Sequence, residues 1–268
     1  EKNTMLGYQA GENTTDAQYN TAVGYQAMRG SSASGLTGDG VNVAVGYNAL
    51  QAITTASNSI AIGGNALDAL TTGAGNVAIG RNAMGTAANG ENYNTAIGNN
   101  AMANSTNTST DYSVAIGHSA LSGGTGESGT NVAIGAFALD GGGTIGATQN
   151  VAIGYSAMSG TIETAYPFFY VAIGYQAMGT GAMNAAAGNV AIGYQTGKAI
   201  TTGDYNILLG NNTGDAITTG AYNIALGYQA LGLATDTSNT VCIGYQAGDA
   251  INSTDANGTV AIGYSAGT

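Results

Sequence analysis

Hydrophobic and polar positions along this chain follow one recurring phrase, plainest as Asn150-Val151-Ala152-Ile153-Gly154-Tyr155-Ser156-Ala157-Met158. Fifteen variants run from one end to the other, and their glycines, from Gly7 to Gly263, are separated by 17 to 22 residues with a mean of about 18. With the motif glycine as position 0, position −1 is always Ile, Val or Leu, position −3 is mostly Val or Ile, and position −2 is Ala in twelve copies. The exceptions at position −2 are Met5, Leu208 and Cys242. Branched aliphatics at i and i+2 have the period of a short strand. After the glycine, position +3 is Ala or Thr, and position +4 is Leu or Met in ten copies and Gly in five. The remainder, as in Ile200-Thr201-Thr202-Gly203-Asp204, is rich in turn-forming residues. Each repeat therefore reads as strand, turn, short strand, loop.

One such unit holds three or four inward apolar side chains, worth about 1.5–3 kcal/mol each when buried. Fixing its roughly 18 residues costs on the order of 1–2 kcal/mol per residue in backbone entropy. A single repeat cannot fold, but stacked copies pair each other's backbones and cover each other's open ends. The fold class expected is all-β: a parallel β-solenoid of about 15 coils of 17–22 residues, forming a single domain over 1–268. At about 4.8 Å per coil the rod would be about 70 Å long.

Side-chain placement follows from that frame. The branched aliphatics at −3 and −1 are expected to fill the coil interior, which would make Ile153→Asp disruptive and Asp204→Asn harmless. The alanines between them then form a smooth outer strip, an assembly face carried by Ala78, Ala133, Ala152, Ala172 and Ala191. Asparagine at −4 in ten copies, among them Asn20, Asn76, Asn131 and Asn223, suits a ladder of amides bonded to their vertical neighbours. The motif glycine marks a backbone conformation closed to other residues or a close approach at the bend. Tyrosine follows that glycine in nine copies and is expected to stack in two runs near the ends, with Gly64, Arg81, Asn99, His118 and Ala136 between them. Candidate contact residues are Tyr155, Tyr175 and Tyr194 of that ladder, and the irregular segment holding Pro167, Phe168 and Phe169.

Composition narrows the function classes. Lys and Arg total 4 against 15 Asp and Glu, a net charge of −11, so phosphate backbones and anionic membranes are repelled and no nucleic-acid partner is expected. No apolar run approaches the roughly 18 residues that span a bilayer, so membrane insertion is not expected. One cysteine, Cys242, cannot form an internal disulfide, and it stands where the repeat has alanine. The one histidine, His118, occupies a tyrosine slot and reads as a surface substitution. No converging set of acid, base and nucleophile appears, and no cofactor is expected. Loop-bound calcium would suit the acidic loops, but the Gly-Gly-x-Gly-x-Asp repeat is missing and the acids keep no fixed repeat position.

The phrases Asn76-Val77-Ala78-Ile79-Gly80 and Asn150-Val151-Ala152-Ile153-Gly154 resemble the head repeat of trimeric autotransporter adhesins, over essentially the whole chain. The resemblance implies a left-handed parallel β-roll, three chains side by side, a bacterial surface location and, in some members, binding to collagen or matrix. The period here is longer than in that family and is also similar to repeats of phage tail fibres and bacterial surface fibres.

The first reading is thus a non-enzymatic structural protein of an extracellular fibre or filament, at a cell surface or on a virion. Its partner is itself, through head-to-tail stacking of ends that show no clear cap, or laterally, most simply as a trimer, with glycans or matrix as adhesive partners. The alternative is a receptor-binding adhesin head or phage tail fibre. A further alternative, a solenoid acyltransferase, needs a hexapeptide period, which fails at Lys198 and Asp204, six and twelve residues after Ile192.

Overall fold

The computed structural model describes residues 2–30, 40–87, 90–104, 110–122, 129–141, 148–160, 169–181, 183, 186–252 and 254–268. Among them lie fifteen three-residue strands: β1 (Thr4–Leu6), β2 (Thr21–Val23), β3 (Val43–Val45), β4 (Ile60–Ile62), β5 (Val77–Ile79), β6 (Thr95–Ile97), β7 (Val114–Ile116), β8 (Val132–Ile134), β9 (Val151–Ile153), β10 (Val171–Ile173), β11 (Val190–Ile192), β12 (Ile207–Leu209), β13 (Ile224–Leu226), β14 (Val241–Ile243) and β15 (Val260–Ile262). The chain divides into two compact units, Glu1–Asn131 with β1–β7 and Val132–Thr268 with β8–β15. Each is an all-β parallel solenoid. Successive strands pair in parallel and in register, so that Ala61, Ala78 and Ala96 align in the first unit, and Ala133, Ala152 and Ala172 in the second.

The expected inside and outside are reversed. Ala78, Ala133, Ala152, Ala172 and Ala191 are fully buried, so they form the inner face of the strand and no assembly surface. The flanking Val and Ile point outward and stay partly or fully exposed, the pattern of β5 and β9 among others. The reason is volume. Large interior side chains come from elsewhere in the coil: Leu or Met at +4, such as Leu67, Met84 and Met158, and an aliphatic at +7, such as Ile53, Leu70, Ile200 and Ile217, all buried. Opposite those, a strand residue has room for little more than a methyl group. The loop read as pure turn chemistry thus contributes a core residue.

Where the strand centre is larger, the opposing position gives way. All three copies lacking alanine at −2 carry glycine at +4: Met5 with Gly11, Leu208 with Gly214, and Cys242 with Gly248. A Cβ at Gly11 would lie 2.6 Å from Met5 Sδ, and one at Gly214 would lie 3.0 Å from Leu208 Cδ2. Leu208 also reaches the previous coil, where a Cβ at Gly197 would lie 2.9 Å from its Cδ1. Two positions 6 residues apart in sequence therefore share one volume.

The segment after the glycine is no strand but a run of tight turns. Positions +2 and +4 are left-handed in copy after copy, as at Gln26 (φ 52°), Met28 (φ 50°), Asn82 (φ 54°) and Met84 (φ 49°). Each costs of order 1 kcal/mol for a residue with a Cβ. The turn is held by hydrogen bonds to both neighbouring coils, Gln26 N donating to Tyr8 O (2.8 Å) and Met28 N to Ala49 O (2.8 Å). Alternation of this kind mimics the side-chain period of a strand, which is why the sequence pattern reads as one.

The asparagine ladder forms as the sequence suggests and is wholly buried at most of its rungs. Each Oδ1 accepts the backbone N–H of the same position one coil on, as Asn76 does from Asn94 (3.0 Å) and Asn206 from Asn223 (3.0 Å). At most rungs Nδ2 donates to a loop carbonyl of that next coil, Asn76 to Glu91 (2.7 Å) and Asn206 to Gly220 (2.9 Å), while Asn20 donates to Gln18 of its own coil (3.0 Å). One amide thus fixes both strand register and loop exit without leaving a buried polar atom unpaired. Tyr170 occupies this slot in one coil; its N–H still reaches Asn150 Oδ1 (3.0 Å), and its hydroxyl is buried beside Asn189 of the next coil. Burial first, and then the nearby Asp204 charge, raise the hydroxyl's pKa.

The motif glycine meets both requirements expected of it. Gly63 has φ 132°, and a Cβ there would lie 2.5 Å from the carbonyl oxygen of Gly80 in the next coil. Its neighbour Gly64 has no positive φ and open space around the same atom. Gly63→Ala is expected to cost about 3 kcal/mol or more, whereas Gly64→Ala should stay within about 0.5 kcal/mol of the parent; paired denaturant titrations measure both. For the shared interior volume, Leu208→Ala should cost about 2–4 kcal/mol and Gly214→Leu about 1–3 kcal/mol by overpacking. The double variant should recover a large part of that sum; strictly additive losses would show that the two side chains do not share space.

Candidate functional site

With alanine inside, the outer side of each strand becomes the surface of interest. It presents two columns of branched aliphatics at the inter-strand spacing, exemplified by Ile60 and Ile62 in the first unit and by Ile207, Ile224 and Ile243 in the second. No acidic or basic residue occupies −3 or −1 in any copy. The surface is free of charge and aliphatic except at Thr4, Thr21 and Thr95, although the chain as a whole is strongly acidic.

Aromatic columns flank it on both sides. At +1, Tyr8, Tyr25 and Tyr47 stack in the first unit with centroids 5.3 Å apart. In the second unit Tyr155, Tyr175 and Tyr194 form one triplet at 5.3 Å, and Tyr228, Tyr245 and Tyr264 another at 5.1 and 5.2 Å. The expected two runs are three, because Asn211 takes the slot between Tyr194 and Tyr228. At −5 lies a second column that the sequence reading missed: Tyr93 on Tyr112 at 5.3 Å and Tyr205 on Tyr222 at 5.4 Å. All four have left-handed backbones, with φ from 52° to 59°. The signal was present in the sequence as tyrosine two residues before the strand. It is diluted there because Gly75, Gly188 and other residues share the slot.

The candidate contact residues separate accordingly. Tyr155, Tyr175 and Tyr194 are 43–47% exposed, and Phe169 is 63% exposed at the −5 position. Pro167 and Phe168 lie outside the described residues. Stacking has a chemical consequence for the tyrosines. Within a triplet the ring faces are turned to one another, nearly parallel at 5–17°, so what they offer a ligand is edges and hydroxyls rather than a platform for a sugar ring.

Two grooves open on a different side, along positions +2, +5 and +6. In the first unit a groove of about 420 Å³ spans four coils. Asn65, Asn82, Asn100 and Ser119 form one wall, Thr86 and Asn104 the other, and Asp68 and Ser122 close the ends over Gly85 and Ala103. In the second unit a groove of about 410 Å³ has Lys198, Asp215 and Asp249 around Gly232. Both arise in the same way: a residue with little or no side chain at +5 leaves a gap between longer neighbours. Burial raises the pKa of Asp68, partly offset by backbone N–H groups, and burial likewise raises that of Asp215 against the pull of Lys198.

Among the described residues no group of three His, Cys, Asp or Glu side chains is placed to hold a metal ion. Cys242 is buried and unpaired by disulfide, with its thiol pushed up to about 11 by burial, which disfavours the reactive thiolate. His118 sits exposed in the +1 column. No helix among the described residues is long and apolar enough to cross a membrane.

Comparison with known proteins returns no matching family model, no similar curated protein and no similar solved structure. The geometry is therefore the sole basis for a functional reading beyond the resemblance noted above.

For Asp68, a folded-state pKa above the ordinary value means that the ionised form is disfavoured in the fold, so stability falls as pH rises through the carboxylate range and is highest below it. Asp68→Asn should raise the thermal midpoint at neutral pH and leave it unchanged below about pH 3, as read by parallel melting curves.

Proposed function

We propose that this chain is a non-enzymatic structural module of an extracellular fibre, at a cell surface or on a virion, and that it self-associates laterally through the outer strand face. The observation that carries the reading is the pair of exposed, uncharged aliphatic columns flanked by tyrosine. In the second unit alone, sixteen outward side chains from β8–β15 present an area on the order of 800 Å², comparable with one side of a standard interface. A face of identical columns is complementary to its own copy, and its lack of charge removes the repulsion that a net charge of −11 would otherwise impose. A self-complementary face closes most simply as a two-fold dimer, and the resemblance implies instead a ring of three chains. A second mode is axial. In it one copy would continue the parallel backbone ladder of another.

The reading as an adhesin head or tail fibre with a dedicated receptor site shares this architecture and differs in carrying a specific ligand. The test of self-association uses the outward geometry. Ile153→Lys combined with Ile173→Lys should keep the circular dichroism spectrum of the parent and convert oligomer to monomer by light scattering. Ala152→Lys, which drives a charge into the interior, should lose the fold by several kcal/mol. A parent protein that remains monomeric at micromolar concentration would refute the proposal.

A further inference from the structure

The groove of the first unit is a place where the columns depart from their own rule. In the third coil, position +5 is Gln51, whose Nε2 donates to Gln26 Oε1 (2.7 Å) and closes the gap between coils. Two and three coils on, Gly85 and Ala103 stand in that column and the gap opens. Together these substitutions shape about 420 Å³, within the range of small-molecule sites.

Its lining specifies the chemistry. Neither Lys nor Arg lines it, and Asp68 is its one carboxylate; a cation would need more oxygen ligands of that kind, and an anion would need a counter-charge. One N–H of each of three amides is committed, Asn65 Nδ2 to Asn82 Oδ1 (3.4 Å), Asn82 Nδ2 to Asn100 Oδ1 (3.1 Å) and Asn104 Nδ2 to the Ser122 carbonyl (2.7 Å), as is the Thr86 hydroxyl, to the Ala103 carbonyl. The second N–H of each amide, and acceptor capacity on amide oxygens, hydroxyls and Asp68, remain for a ligand. The complement is a neutral molecule carrying many hydroxyls. The walls also repeat at the coil spacing, so equivalent groups recur about every 4.8 Å over about 14 Å, and a linear pyranoside advances by close to one such step per ring.

We infer that the groove over residues 65–122 binds a short neutral oligosaccharide, about three rings long, one ring per coil step. This goes beyond a purely structural role and does not depend on self-association, since the groove lies at other repeat positions than the outer strand face. Isothermal titration and chemical-shift perturbation with maltotriose, cellotriose and triacetylchitotriose test it on the full chain. At least one trisaccharide should bind in the millimolar range or tighter, with shifts at the side-chain amides of Asn65, Asn82 and Asn100. Ala103→Gln, which places in the groove the side chain that the chain already uses at position 51, should weaken that binding by about tenfold or more with an unchanged melting curve. Ala216→Gln, which fills the second unit's charged groove, should leave it unaltered. Absence of binding by all three sugars, or equal binding by the Ala103→Gln protein, would overturn the inference.

Discussion

The structure depends on how closely successive coils approach at the motif glycine. There the carbonyl of one coil occupies the place where the previous coil would carry a Cβ, 2.5 Å from it at Gly63, and the backbone adopts φ near 135° at one glycine after another. Only glycine satisfies both demands. Once coils are held at that distance, each position stacks on the same position of the next coil. Backbone hydrogen bonds run from coil to coil, the asparagine oxygen meets the next asparagine N–H, and tyrosine rings fall 5.1–5.4 Å apart. Insertions are confined to the segment before the strand, where chain length does not disturb these columns.

Much of this was legible in the sequence. The period, the strand at Val-Ala-Ile, the parallel stacking, the need for glycine and the amide ladder all follow from residues that repeat without much variation. The inner and outer faces of the strand did not follow, and the failure is instructive. Size and branching place Val and Ile inside when a strand is considered alone. The interior of a coil is shared, however, and its volume is taken by Leu67 or Met84 at +4 and by Ile53 or Leu70 at +7. The decisive signal was the coincidence of Met5, Leu208 and Cys242 with Gly11, Gly214 and Gly248. It links the −2 and +4 columns by volume, and both are buried.

Other features were hidden for different reasons. Left-handed residues at +2 and +4 include Met and Leu, which carry no local signature of that conformation; hydrogen bonds from neighbouring coils impose it. The second tyrosine column is interrupted often enough to escape a count. The groove is a property of absent side chains at Gly85 and Ala103, visible only when the columns beside them are known to be full.

These observations separate two kinds of variation in a stacked repeat. Positions 0, −2 and −4 face the shared interior or the inter-coil contact, and a change there can be matched by a partner, as Leu208 is by Gly214, or keep a ladder hydrogen bond, as Ser59 does by accepting from Asn76 (3.3 Å) where asparagine would have stood. Positions +1, +5 and +6 face outward, and changes there go unmatched: Tyr47 gives way to Gly64 and Gln51 to Asp68 with no compensating residue opposite. Unmatched change alters the surface at no cost to the stack, so specific recognition can be written into those columns while the interior continues to enforce register. That is the physical reason for seeking binding in the grooves at +5 and for assigning assembly to the outward Val and Ile columns, which stay almost uniformly aliphatic although their exposure gives the interior no reason to keep them so.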